Sequence, residues 1–357
     1  MRRLAHGVLF SLLIAGAPAG MAQTPPAHEA QPAPAPAAPF TPHSVGPSVN
    51  EVLPSGPDLP TPLSPEAQSL MSEVNPVDQS KVDLAFGAYQ RGYYETALEE
   101  AKKRLAVDKH DAAAMTLIGE LYDQGLGVKQ DYAEAARWYA AAAAEGDVDA
   151  TFSLGAATLQ GKGVKKDPAG AAILFRKAAA KNHPGALYDL GMMALQNNGV
   201  VPDFRKAADY FSRAAALGFS DAAYALAILY RNGRGVTRDD KVAALWMSRA
   251  AKDNNVPAEV EYAIMLFNGI GTDKDEVAAA RLFLKAAAAN NPVGQNRVAR
   301  LLVVGRGIQK NLVEAMKWHL LARAAGEKDP WLDEVLKKLT PEQKKAVHAA
   351  VQQYEGY

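Results

Sequence analysis

Ala150-Thr151-Phe152-Ser153-Leu154-Gly155, then Gly161-Lys162-Gly163-Val164-Lys165-Lys166-Asp167, then Ala171-Ala172 and Ala178-Ala179-Ala180 make up one unit of a pattern that runs through the chain. Its central Gly recurs at Gly127, Gly163, Gly199, Gly235, Gly271 and Gly307, each 36 residues from the last. A period of that length kept in register signals a stacked array of supersecondary units. Two residues earlier stand Gly125, Gly161, Asn197, Gly233, Gly269 and Gly305, so each unit carries a turn that needs left-handed backbone. Four residues later come Asp131, Asp167, Asp203, Asp239, Asp275 and Asn311, which are N-cap types. In the first and last units Glu134 and Glu314 lie three residues on, where a reciprocal capping contact is expected.

The other fixed columns are small. Ala135, Ala171, Ala207, Ala243, Ala279 and Ala315 form one, and Ala142, Ala178, Ala214, Ala250, Ala286 and Ala322 a second. A third, Gly119, Gly155, Gly191, Ala227, Ala263 and Ala299, lies on the preceding helix. Large residues alternate with these: Trp138, Leu174, Tyr210, Trp246, Leu282 and Trp318, each followed by Tyr139, Phe175, Phe211, Met247, Phe283 or His319. Each unit therefore reads as helix, Gly turn and capped helix, with large side chains filling the space between units. About a fifth of the chain is Ala, which favours helices and close helix packing.

This pattern resembles the Sel-one-like repeat, a branch of the tetratricopeptide superfamily. The resemblance implies an all-α, right-handed α-solenoid of helix-turn-helix repeats, with six 36-residue copies over residues 111–327. Upstream, Ala88-Tyr89-Gln90-Arg91-Gly92-Tyr93-Tyr94-Glu95-Thr96-Ala97 resembles a tetratricopeptide-like opening pair over 79–110. After Gly326 the period is lost, and 328–357 reads as two capping helices, the second started by Thr340-Pro341-Glu342-Gln343. Lys337, Lys338, Lys344 and Lys345 supply the polar outer face that a solenoid end needs.

The N-terminus reads differently. Met1-Arg2-Arg3, an apolar run over 8–14 and Gly20-Met21-Ala22 make residues 1–22 a signal peptide, with cleavage expected after Ala22. Residues 23–78 hold fourteen of the 22 prolines, six acidic residues and no Lys or Arg, the composition of an extended, solvated linker. As a flexible coil it would span on the order of 40 Å. An exported chain without cysteine points to a bacterial periplasm.

Composition excludes several functions. Lys plus Arg and Asp plus Glu are both 39, so no basic footprint for nucleic acid exists. Without cysteine there are no disulfides, thiolate nucleophiles or thiolate metal sites. The seven His are scattered, and no pair has metal-ligand spacing. His110 and His183 fall at junctions between helix pairs and His319 in a packing column. The Gly-x-Gly turns lack the rest of a phosphate or dinucleotide motif, and the Asp column is explained by capping. The expectation is no catalytic, metal or cofactor site.

The resemblance implies a different site. In the superfamily the first helix of each pair lines a concave groove, which here receives the columns headed by Thr116, Glu120 and Asp123. Units two to five are mostly aromatic and aliphatic there, flanked by a polar first unit and by Asn296 and Arg300 in unit six. The expected partner-binding residues are Phe152, Leu159, Tyr188, Met192, Leu195, Tyr224, Ile228 and Phe267. Tight curvature would instead pack these side chains on one another between units. Bacterial members of the family act as scaffolds in envelope complexes and signalling, which implies a non-catalytic adaptor for a protein or peptide partner of the envelope. A structural spacer, or a cell-wall or glycan-associated module, is the alternative. Truncating Phe152 and Tyr188 together is expected to weaken a partner by roughly 2 to 4 kcal/mol with helicity intact.

Overall fold

A computed structural model describes residues 83–196 and 201–356. The chain divides into two units, Met1–Val74 and Asn75–Tyr357. The expected signal peptide, the linker, and the turn that holds Asn197 and Gly199 lie outside the described residues.

The described residues form sixteen helices and no strand. An opening pair, α1 (Leu84–Gln90) and α2 (Tyr94–Val107), precedes six pairs of near-constant length. These are α3 (Ala112–Gln124) with α4 (Tyr132–Ala144), α5 (Val148–Gln160) with α6 (Pro168–Ala180), and α7 (Pro184–Leu195) with α8 (Phe204–Ala216). Then come α9 (Ser220–Asn232) with α10 (Asp240–Lys252), α11 (Val256–Asn268) with α12 (Glu276–Ala288), and α13 (Pro292–Val304) with α14 (Leu312–Ala324). The chain ends in α15 (Pro330–Lys337) and α16 (Pro341–Glu355). Each helix of the pairs packs against its neighbours in sequence, and α16 packs back on α14. This is an all-α, right-handed solenoid.

Local chemistry sets the helix boundaries. The first helices end at Gly125, Gly161, Gly233, Gly269 and Gly305, with φ between 64° and 78°, a region that costs a residue with a Cβ about 1–2 kcal/mol. The second helices start at the expected caps: Asp167 Oδ1 accepts from Gly170 N at 3.0 Å, Asp203 from Lys206 N at 2.9 Å, and Asn311 from Glu314 N at 3.0 Å. The cap residue's own N–H donates back to the first helix, as in Asp167 N to Thr158 O at 2.9 Å and Asp275 N to Leu266 O at 2.9 Å. Cap and turn thus tie the two helices of a unit together. The reciprocal contacts expected of Glu134 and Glu314 do not form. Arg137 and Lys317, one turn further on, draw those carboxylates to 2.8 and 2.5 Å instead. Thr340 and Gln343 do form the reciprocal pair at the start of α16.

The small columns make the core. No residue of the two Ala columns is more than 1% exposed. The glycines of the third column each face an aromatic ring of the same unit: a Cβ at Gly119 would lie 2.8 Å from Tyr139, at Gly155 2.8 Å from Phe175, and at Gly191 2.5 Å from Phe211. Phe175 and Phe211 are fully buried as a result, and truncating either would cost about 3–5 kcal/mol. The units join through the central Gly. A Cβ at Gly163 would lie 1.9 Å from Tyr132 O, at Gly271 1.9 Å from Asp240 O and at Gly307 2.1 Å from Glu276 O. Each of these described turns therefore rests on the first residues of the second helix one unit before. Gly127 makes the same approach to Tyr94 and Glu95 of α2, so the opening pair is joined as the repeats are.

Candidate functional site

The candidate residues lie on α5, α7, α9 and α11, all first helices. Six of them, Phe152, Leu159, Met192, Leu195, Tyr224 and Phe267, are half-buried. Tyr188 and Ile228 are buried, at 7% and 4% exposed. The Tyr188 ring lies 5.7 Å from Phe211 and 5.2 Å from Phe219, which places it between α7, α8 and the start of α9. Burial raises its hydroxyl pKa, with the charges of Asp221 and Asp189 adding to the effect. Phe152 stacks on His183 at 4.3 Å and tilts against Phe175 at 5.8 Å. His183 in turn caps α7, its Nδ1 accepting from Ala186 N at 3.0 Å. Aromatic rings of this face thus link successive units while part of the face stays open.

The polar ends of the face have their own partners. In unit one Glu120 accepts from Tyr89 Oη of α1 at 2.6 Å and from Gln124 Nε2 at 2.9 Å. Burial and that carboxylate raise the Tyr89 pKa. In unit six Asn296 Nδ2 donates to Asp329 Oδ2 at 2.8 Å, and Arg300 Nε and Nη2 donate to the same carboxylate at 2.6 and 2.9 Å. Asp329 is 3% exposed and caps α15 through Leu332 N. Burial alone would raise its pKa; the Arg300, Asn296 and Leu332 donors outweigh that and hold it below the usual carboxylate range. The polar end in unit six is therefore the seat of α15.

Beside it lies a recess of about 400 Å³ between α11 and α13. Of the expected partner-binding residues Phe267 alone lines it; Arg300, expected at the polar flank, and Arg297, Val304, Arg306 and Trp331 line it as well. Arg300 Cζ stands 5.4 Å from the centre of the Trp331 ring and Arg306 Cζ 4.5 Å from that of Phe267. Sequence reasoning missed Arg297, Val304, Arg306 and Trp331. A signal existed for one of them. Three residues before the central Gly the chain carries Gln124, Gln160, Gln196, Asn232 and Asn268, and Val304 breaks that column of amides.

Elsewhere the titratable groups serve the helices. His110 Nδ1 meets Glu145 at 3.0 Å, and buried His319 meets Asp333 through Nε2 at 2.9 Å. Glu259, 1% exposed, is met by Lys285 Nζ at 2.6 Å. Among the described residues no group of three or more His, Cys, Asp or Glu side chains could hold a metal ion. None of the described helices is long and apolar enough to cross a membrane.

Comparison with known proteins agrees with this geometry. The family model of the Sel1 repeat matches six times, at residues 112–147, 148–183, 184–219, 220–255, 256–291 and 292–327. A Sel1 repeat protein from Oxalobacter formigenes is 31% identical in sequence over 68% of this chain and 98% of its own, with a TM-score of 0.62. The protein c5321, a protective antigen of uropathogenic Escherichia coli strains displaying an SLR fold, is 26% identical over 78% of this chain, with a TM-score of 0.63. The alignment spans 64% of that antigen's length. No curated protein matches the chain. With six contiguous matches to the repeat, and with the helix pairs, turns and caps seen among the described residues, the chain belongs to the Sel1 repeat family.

Proposed function

We propose that this protein is a non-catalytic, exported adaptor that holds a protein or peptide partner of the bacterial envelope on the first-helix face of its array. Proteins built from Sel1 repeats generally mediate protein–protein interactions. The observation that carries the reading is the set of half-buried apolar side chains, Phe152, Leu159, Met192, Leu195, Tyr224 and Phe267, presented from the same face of successive units. Apolar surface with polar flanks marks partner sites, and anchors already fixed by packing lose little entropy on binding. The periplasmic address rests on residues 1–22 and on the absence of cysteine.

The test is photocrosslinking in the cell with a photoreactive residue at Met192 or Phe267. Ile173 and Leu245 of the second helices, 60% and 53% exposed, serve as controls. Capture of one dominant protein from the first pair and not from the second is expected. Equal capture from both faces, or none from a folded and exported protein, would remove the adaptor reading and favour a spacer.

A further inference from the structure

We propose that the recess between α11 and α13 is a docking site for an acidic peptide segment that carries one large apolar side chain. The inference rests on the adaptor reading above and names the place and the chemistry of its partner.

Much of the floor and lip of the recess is apolar. Phe267 is half-buried, Val304 is 53% exposed at the end of α13, and Trp331 is 42% exposed at the start of α15. The first helices of the six repeats have twelve or thirteen residues, whereas α15, which follows them, has eight. At this unit alone the column of carboxamides gives way to Val, so Val304 adds an apolar side chain to a recess that Asn268, from the same column one unit earlier, also lines. The recess, about 400 Å³, falls in the range of sites that enclose a ligand group.

Every charged residue that lines the recess is an arginine. Two of the three are pinned. Asp329 holds Arg300 through Nε and Nη2, and Glu276 holds Arg306 through the same two nitrogens. Those pairs fix the guanidinium planes beside Trp331 and Phe267 and leave each Nη1 edge for another acceptor. Arg297 is exposed and has no ion-pair partner among the described residues. Glu276 also holds Lys274, so the two carboxylates are already shared among three cations, and Arg297 adds positive charge beside them. A carboxylate-bearing segment satisfies that charge, and an aromatic or long aliphatic side chain fills the apolar part. A single unpaired guanidinium over a largely apolar floor does not suit a phosphate backbone, which calls for a row of cations.

The experiment is to pan a library of short random peptides against the full-length protein and, in parallel, against Arg297→Glu and Val304→Gln. Both changes are at exposed side chains outside the two ion pairs, and circular dichroism is the check that the variants fold. Peptides rich in Asp or Glu beside an aromatic or Leu are expected from the native protein. Those peptides should bind Arg297→Glu about tenfold more weakly and should weaken with salt. Recovery of basic or uncharged peptides, no enrichment, or equal affinity for Arg297→Glu would overturn the proposal. So would binding of phosphatidylglycerol vesicles that Arg297→Glu abolishes while no peptide is enriched. Crosslinking from Met192, on α7 in the third repeat, separates the two readings. Capture there from the native protein, together with peptide affinity unchanged in both variants, retains the adaptor and removes the recess, whereas no capture from any first-helix position of the native protein removes the adaptor itself.

Discussion

Replacing Gly163 by Ala perturbs the joint between two units at a single atom. The residue has φ of 67°, and its new Cβ would stand 1.9 Å from Tyr132 O and 2.2 Å from the Tyr132 carbonyl carbon. Cβ contacts under 3.0 Å essentially do not occur, and the obstacle is backbone, so the turn and the start of α4 must part by about 1 Å. Left-handed strain costs about 1–2 kcal/mol, and the forced separation about 1–3 kcal/mol more. The sum is roughly 2–5 kcal/mol. Gly161→Ala is the control. Its φ is 78°, but its Cβ would meet only Lys166 of the same turn, Cβ at 3.0 Å and Cα and N at 3.4 Å, so left-handed strain dominates. Urea denaturation followed by circular dichroism measures both losses, and hydrogen exchange at the amides of 132–136 localises them, because neighbouring units in an array can open separately. Equal losses for the two variants would refute the claim that the central Gly is retained for close approach between units.

Tyr188→Ala should destabilise the array by about 3–5 kcal/mol, because a side chain 7% exposed leaves a cavity against Phe211 and Phe219. This differs from the expectation that helicity survives its truncation, and thermal unfolding decides between the two. Asp275→Ala should cost about 1 kcal/mol through loss of the 2.8 Å bond from Ala278 N, and Asp275→Asn much less, since Asn311 caps α14 from the same column; a large loss for Asn would show that charge, not the hydrogen bond, matters. The folded-state pKa of Asp329 is depressed, so its contribution is complete above the ordinary carboxylate pKa near 4 and is lost as pH falls below it. Asp329→Asn should therefore be roughly 1–3 kcal/mol less stable than the native protein at pH 7, with the difference closing in acid. A gap that is unchanged at pH 3 would refute that linkage.

The repeat, its turns and its caps were legible because each rests on a local requirement that recurs with the period: left-handed φ at Gly161, an oxygen at Asp167, no side-chain volume at Ala171. What the face exposes was less legible, since that depends on pairs of rings brought together from different helices. Phe152 and Tyr188 share a column and each tilts against a Phe of the following helix, yet Phe152 meets His183 beyond it and stays half-buried, while Tyr188 meets Phe219 at the equivalent place and is buried. The polar end of the face was visible in Asn296 and Arg300, but their reason, Asp329, lies 33 and 29 residues away in a segment outside the period. Trp331 and Arg297 acquire a common setting only when α15 is placed beside α13. The capping contacts of Glu134 and Glu314 failed for a simpler cause: a cation one helical turn away competes for the same carboxylate.

The joint at Gly163, Gly235, Gly271 and Gly307 falls 31 residues after the carbonyl it rests on in every case, which makes the connection between units interchangeable. A segment of 36 residues cut from, or copied between, two such glycines would leave each surviving turn on an equivalent carbonyl. Length can then change by genetic duplication or loss without redesign of either flank. The reach of the face becomes a quantity that selection can adjust in whole steps, while the two ends, where α1 and α15 engage the first and last repeats, keep their own chemistry.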